Sequence, residues 1–177
     1  MTDTTTTNPS KPPASVMVLG IGNALRSDEG IGVHAIRELD ARACLGDHVT
    51  LIDGGVMGLD LLPALEGCEA LVVVDAIDAA QPPGTVLRME GDDVPTDIID
   101  KLSMHQAGLA DLLGLLRLQG QRPPQLVLFG VQPASLDWGL ELSPIGQQAL
   151  QPLVAAILDQ LQQWGAIKPT TPPSAPV

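Results

Sequence analysis

Residues 16–32 of this chain read VMVLGIGNALRSDEGIG, an apolar run that leads into a glycine-rich loop. The run at residues 16–20 predicts a strand that ends in a glycine turn. After the loop, apolar residues recur on one face of a predicted helix, at Ile31, Ala35, Leu39 and Ala43. Strand, loop and helix in this order predict that the chain opens with a βα unit.

The rest of the chain repeats this alternation of short apolar runs and helical spacing. Further strands are predicted at residues 49–52, 71–74, 84–89 and 126–131, and further helices at residues 59–65, 105–118 and from 144 onward. Ser143 and Pro144 are residue types that favour the N-cap and the first position of that last helix. The alternation predicts a three-layer α/β/α sandwich around a mainly parallel sheet.

The length and composition predict one domain with an aliphatic core. The chain has 177 residues, of which 45% are hydrophobic and only 2% aromatic, with no tyrosine. Residues 1–15 and 168–177 are rich in Thr, Pro and Ser, so we expect disordered tails there. The folded domain is therefore predicted to span residues 16–167.

The charge and the cysteines restrict the partners and the compartment. The formal net charge of −12 disfavours nucleic acid and anionic membranes and favours a basic peptide or a cation. The N-terminus has no charged segment followed by an apolar one, and no apolar run could span a membrane. Cys44 and Cys68 lack metal-site spacing, so we expect small core residues in a reducing compartment. We therefore expect a soluble, cytoplasmic protein.

The glycine-rich loop is not typical of a dinucleotide site. The third glycine of the G-x-G-x-x-G pattern would fall at Leu25. Asp28 and Glu29 follow it, where a phosphate would approach the helix N-terminus, and two carboxylates there repel an anion. A cation, or a substrate that carries one, suits this loop better.

Polar side chains follow the predicted strands at one edge of the sheet. Glu29 follows the first strand, Asp53 the second and Asp75 the third, while His105 precedes a helix. If the strand order is 2-1-3, Glu29 and Asp75 face each other where the order reverses, with His105 on the same edge. Carboxylate and imidazole ligands suit a borderline divalent cation, and three ligands leave positions open for water or substrate.

Each of these residues also has a structural interpretation. Glu29 could be a first-turn acid stabilised by the helix dipole. Asp75 could cap a loop, and His105 could hydrogen-bond at a helix start. Their shared position at one sheet edge is what favours a site.

The motifs resemble those of the nickel–iron hydrogenase maturation endopeptidases. Residues 18–32 match the N-terminal signature of that family, and the likeness continues in order through residues 53–55, 74–76, 105–111 and 130–133. It covers residues 16–164, so only the tails lie outside it.

The resemblance implies a fold and an activity. The expected fold is a five-stranded twisted sheet between helices, with the fourth strand antiparallel. Members of the family remove a short C-terminal extension from the hydrogenase large-subunit precursor, after a basic residue and only once nickel has been inserted. Their metal-binding glutamate, aspartate and histidine match Glu29, Asp75 and His105.

On this basis we expect nickel to arrive with the precursor, with no organic cofactor, and the enzyme to be a monomer. The metal could polarise the scissile carbonyl or activate water. Alternatively, it could only position the substrate while a carboxylate acts as general base, as in an aspartyl-type peptidase. Asp53 and Asp28 are candidates for that base or for supporting roles. The predicted catalytic set is Glu29, Asp75, His105 and Asp53.

Two other functions are compatible with parts of the pattern. A non-enzymatic nickel-sensing maturation chaperone could use the same three ligands without cutting the precursor. A peptidyl-tRNA hydrolase-like esterase also opens with a strand and a Gly-x-Gly-Asn loop, but the acidic charge disfavours tRNA binding.

Overall fold

The computed structural model describes residues 12–42, 44–94 and 106–168. The strands and helices follow one another in the predicted alternation. They are β1 (Val16–Ile21), α1 (Ile31–Arg42), β2 (Val49–Gly55), α2 (Leu62–Leu65), β3 (Ala70–Ala76), β4 (Val86–Glu90), α3 (Gln106–Leu118), β5 (Gln125–Val131) and α4 (Pro144–Gln163).

The five strands form one mixed sheet in the order β2-β1-β3-β5-β4. Neighbouring strands are parallel except β4, which runs antiparallel to β5. The order 2-1-3, on which the predicted approach of Glu29 to Asp75 depended, is therefore present, and the antiparallel fourth strand implied by the resemblance is confirmed. Because β1 and β3 are neighbours, the strand order reverses between them, which is where ligands bind in sheets of this kind.

Side chains on the two faces of the sheet enter two separate cores. In β3, Val72 and Val74 face the core that contains α1 and α4. The alternate residues Leu71 and Val73 face a second core with α2 and α3. This alternation confirms the three-layer sandwich. Phe129 is the one aromatic residue among the largest fully buried side chains of the described residues, and the others are Leu and Ile.

The helix ends agree closely with the sequence signals. Ser143 caps α4, because its hydroxyl oxygen accepts a hydrogen bond from the Gly146 amide at 3.0 Å, and the helix continues through Pro152. Ala43 and His105, predicted to belong to α1 and to begin α3, lie outside the described residues. None of the helices in the described part of the chain is long and apolar enough to cross a membrane.

Residues next to the predicted domain boundaries form hydrogen bonds to distant parts of the chain. The Ala14 amide donates to the Glu69 carboxylate at 2.6 Å, and the Ser15 carbonyl accepts from the amides of Glu69 and Ala70, both at 3.1 Å. At the other end, the Lys168 amide donates to the Cys44 carbonyl at 2.8 Å. Composition does not reveal such hydrogen bonds to distant residues, and the domain boundaries at residues 16 and 167 remain a prediction.

The two cysteines are free and differ in accessibility, which gives a chemical test of the fold. Cys68 is buried in the core beside α2 and α3, and burial raises the pKa of its thiol to about 11. Cys44 is half-buried. At pH 8 we expect iodoacetamide to modify Cys44 and leave Cys68 intact, since only the thiolate reacts.

Mass spectrometry of peptides from the alkylated protein measures both reactions. The control is the same protein in denaturant, in which both cysteines should react. Modification of Cys68 in the native protein at the rate seen in denaturant would contradict this packing.

Candidate active site

The loop between β1 and α1 lies directly on the carboxyl ends of the central strands. Ser27–Gly30 form a 3-10 helix in this loop. Gly22 has a φ of +133°, and a Cβ there would overlap the Glu29 carbonyl oxygen. A Cβ on Gly32 would overlap the carbonyl oxygens of Ile21 and Val74. Glycine at both positions therefore allows the loop to hold Glu29 beside the end of β3.

Glu29 and Asp75 are both buried at this edge, with exposed fractions of 4% and 3%. Asp75 is the penultimate residue of β3 and one of its oxygens accepts a hydrogen bond from the Ala76 amide at 2.8 Å. Gly32, three residues after Glu29, lies against the carbonyl of the residue before Asp75. The structure thus brings these two predicted residues to one edge. Two buried carboxylates together favour the binding of a cation.

Arg26 supplies a positive charge next to Glu29. Its Nη1 lies 3.2 Å from Oε2 of Glu29, and its Nε donates to the Leu136 carbonyl at 3.2 Å. The guanidinium also lies 5.9 Å from the centre of the Trp138 ring, within the range of a cation–π interaction. Arg26 was not among the predicted site residues, although its spacing of three residues before Glu29 is typical of such a pair.

Asp28 is buried and connects the loop to the segment before α4. One carboxylate oxygen accepts from the amides of Ala134 and Ser135, at 2.9 and 3.1 Å, and from the Ser143 hydroxyl at 2.7 Å. The other accepts from the Ser143 amide at 2.7 Å. Both carboxylate oxygens of Asp28 are therefore used in hydrogen bonds that hold this loop to the segment before α4.

Asp53 is not brought together with Glu29 and Asp75. Leu51, two residues before Asp53 in β2, packs into the core beside α1. Asp53 therefore points to that same face, where Arg37 of α1 lies 3.8 Å away. Asp75 follows Val73 by two residues and points to the opposite face. Asp53 is also 46% exposed, and β1 lies between the two strands.

His105, the predicted third ligand, lies outside the described residues. The helix that follows it, α3, packs on the face of the sheet to which Asp75 points. Within residues 12–42, 44–94 and 106–168, no group of three or more His, Cys, Asp or Glu side chains is arranged to hold a metal ion. The described residues therefore place two of the three predicted ligands at one sheet edge, and the metal-binding role of all three remains a prediction.

Gln132, which was not among the predicted site residues, has a structural role at this edge of the sheet. It lies in the motif after β5 and is 8% exposed. Its side-chain oxygen accepts from the amides of Ala79 and Gln81, at 2.9 and 3.1 Å. Gln132 therefore holds the loop after β3 against the end of β5, at the same edge as the carboxylates.

The fold and the site define an α/β sandwich protein with an acidic site at the point where the strand order reverses. Comparison with known proteins identifies its family. Residues 33–160 match the HycI family model, described as hydrogenase maturation protease, so the chain belongs to this family and is a peptidase.

Individual relatives agree with this family. The chain is 41% identical over 159 residues to the hydrogenase expression/formation protein HupD of Rhodobacter capsulatus, covering 89% of this chain and 76% of the relative. It is 38% identical to the hydrogenase 2 maturation protease of Escherichia coli strain K12, over 85% of this chain and 92% of that protein. These relatives favour neither the chaperone nor the peptidyl-tRNA hydrolase.

A solved structure agrees as well. The hydrogenase maturating endopeptidase HybD from E. coli superimposes with a TM-score of 0.82 at 37% identity, covering 87% of this chain and 95% of that chain. The predicted family and fold are therefore confirmed.

The hydrogen bonds of Asp28 predict a large loss of stability on substitution. Asp28→Asn keeps the shape of the side chain. Its NH2 group, however, would face a backbone amide that now donates a hydrogen bond to the carboxylate. We expect the free energy of unfolding in urea to fall by about 2–4 kcal/mol, because buried donors lose their acceptor. The matched control is Asp47→Asn. This substitution should leave the urea midpoint unchanged, because the Asp47 side chain is 95% exposed. An unchanged midpoint for Asp28→Asn would contradict the assigned role.

Proposed function

We propose that this peptidase removes the C-terminal extension of the large-subunit precursor of a nickel–iron hydrogenase after nickel has been inserted. The observation that carries the proposal is the pair of buried carboxylates, Glu29 and Asp75, at the reversal point of a maturation-protease fold. The free cysteines suit a reducing compartment, so we assign this step to the cytoplasm. We further propose that the enzyme acts as a monomer.

Glu29, Asp75 and His105 are the proposed ligands of the nickel that the substrate carries. The donor set fits, because two buried carboxylates and an imidazole suit a borderline divalent cation. Nickel held there would polarise the scissile carbonyl or lower the pKa of a bound water. Since the nickel belongs to the substrate, the enzyme would distinguish loaded from empty precursor by whether the metal reaches these ligands.

The chain's own carboxylates supply the proton transfers. Hydrolysis adds a water oxygen to the carbonyl carbon, breaks the carbon–nitrogen bond and moves a proton to the leaving amine. Asp28 is occupied by four hydrogen bonds, and Asp53 points to the other face of the sheet beside Arg37. We therefore assign proton acceptance to an oxygen of Glu29 or Asp75 that does not coordinate nickel, with Asp53 in a lesser, supporting role.

An exposed apolar surface beside the site suits a protein substrate. Among the described residues, nine large apolar side chains are exposed, and seven of them follow the carboxyl ends of β1, β2 or β5. They are Leu25, Val56, Met57, Leu59, Leu136, Trp138 and Leu140, which we call the apolar rim. Such a concentration of exposed apolar side chains is typical of protein interaction sites. We propose that the body of the precursor docks on this rim.

The first experiment incubates the protein with nickel-loaded and nickel-free precursor and follows loss of the extension by mass spectrometry. We expect cleavage of the loaded precursor alone. Glu29→Gln, Asp75→Asn and His105→Ala should each lower the cleavage rate by about a hundredfold or more, as loss of a group at the reacting centre does. Asp53→Asn should lower it by less than about tenfold.

Asp47→Asn is the matched control, because it removes an exposed carboxylate from the opposite edge of the sheet. Equal cleavage of both precursors would keep the peptidase and refute the dependence on nickel. Full activity in all three variants at the proposed ligands would refute the site. Binding of the precursor without any cleavage would instead support the chaperone.

The apolar rim makes a separate kinetic prediction. Leu140 is 67% exposed at the rim, and Leu140→Asp should raise the KM for the precursor by about tenfold and leave kcat unchanged, as expected for a lost docking contact. The matched control is Leu118→Asp, at the far end of α3, where the side chain is 87% exposed. Equal effects of the two substitutions on KM would rule out docking at the rim.

A further inference from the structure

Arg26 lies next to Glu29, one of the proposed ligands of the substrate's nickel. Its guanidinium lies 3.2 Å from the Glu29 carboxylate, and the two side chains are 22% and 5% exposed. The pair is therefore largely removed from water, where screening by solvent is weak. A buried carboxylate needs such a counter-charge, because an uncompensated one is costly to bury.

This contact places the guanidinium in competition with any cation that uses Glu29. A divalent ion that coordinates Oε2 must displace Nη1 or approach within a few ångströms of its positive charge. Like charges so close in a partly buried site repel strongly. Arg26 should therefore lower the affinity of the substrate-free enzyme for free metal ions.

Arg26 is also held by the segment that bears the apolar rim. Leu136 accepts a hydrogen bond from its Nε at 3.2 Å, and Trp138, which is 79% exposed, lies beside the guanidinium. The backbone on both sides is paired, because the Ser27 amide donates to the Gly139 carbonyl and the Gly139 amide to the Leu25 carbonyl, both at 2.9 Å. The cation is thus kept at Glu29 by contacts that do not depend on Glu29.

We propose that Arg26 neutralises Glu29 in the substrate-free enzyme and so prevents nickel ions in solution from occupying the site. Nickel then reaches Glu29 only when a docked precursor delivers it in its own coordination sphere. This inference rests on the proposed function, since it takes Glu29 as a ligand of the nickel that the substrate carries. It makes Arg26 a positioning and specificity-determining residue.

The test measures the binding of Ni²⁺ alone to the full, untagged chain by equilibrium dialysis. Arg26→Gln and Arg26→Met should each bind Ni²⁺ about tenfold more tightly than the unchanged protein, which corresponds to ~1.4 kcal/mol. Arg26→Lys keeps the charge and should stay within about threefold of the unchanged protein. Arg26→Met retains the apolar stem beside Trp138, so it serves as a second neutral variant.

Arg37→Gln is the matched control, because it removes one positive charge near the same edge. Arg37 lies 3.8 Å from Asp53 on the other face of the sheet, and its side chain is 62% exposed. This substitution should change Ni²⁺ affinity by less than about twofold. A tenfold gain in Arg37→Gln as well would show that net charge, rather than the Arg26–Glu29 contact, sets the affinity.

The sign of the change separates this role from a purely structural one. If Arg26 only stabilised the loop, its loss would leave Ni²⁺ affinity unchanged or weaken it, and either result would overturn the proposal. Glu29→Gln in the Arg26→Gln background tests separately whether Glu29 is a metal ligand, on which the role of Arg26 depends. Loss of the added Ni²⁺ binding supports both, whereas binding that persists without Glu29 refutes Glu29 as a ligand and, with it, the role of Arg26.

Discussion

The close approach of the β1–α1 loop to the ends of β1 and β3 is the constraint on which the site depends. Side chains at Gly22 or Gly32 would overlap carbonyl oxygens of the loop or of the strand ends. Because both residues are glycine, the 3-10 helix Ser27–Gly30 can lie directly on the sheet edge. Glu29 is thereby buried beside the end of β3, where Asp75 is also buried. A phosphate-binding loop would instead leave amides open to an anion at this position.

Two charged side chains of this loop form hydrogen bonds with the segment between β5 and α4. The Asp28 carboxylate accepts from three backbone amides and one hydroxyl of that segment, while Arg26 donates to it at Leu136. The site and part of the apolar rim therefore share the same two loops. A precursor that docked on the rim, as proposed, would touch the residues that hold Arg26 against Glu29. In the proposed function, this shared structure would link recognition of the precursor to access of its nickel to the carboxylates.

Most of the fold could be predicted from the sequence, but only part of the site could. The approach of Glu29 to Asp75 follows from strand order, because the carboxyl ends of adjacent parallel strands meet at one edge. The direction of Asp53 also depends on the pleat of β2, so its position after a strand did not reveal that it faces away from Asp75. Asp28 accepts hydrogen bonds from residues more than 100 positions away, and backbone donors carry no signature in the sequence. The spacing of Arg26 and Glu29 can be read from the sequence. That the two form a largely buried ion pair could not be inferred without knowing that Glu29 is buried.

Whether Glu29 and Asp75 bind the nickel of the substrate is tested most directly by measuring the coordination of that nickel while enzyme and precursor are in contact. X-ray absorption at the nickel edge, on nickel-loaded precursor freeze-quenched with the enzyme, reports the ligands of the substrate's metal. We predict that oxygen and nitrogen ligands are added to those seen in precursor alone, and that fewer are added with Glu29→Gln. A nickel spectrum that is identical with and without the enzyme would show that Glu29 and Asp75 do not bind the substrate's metal.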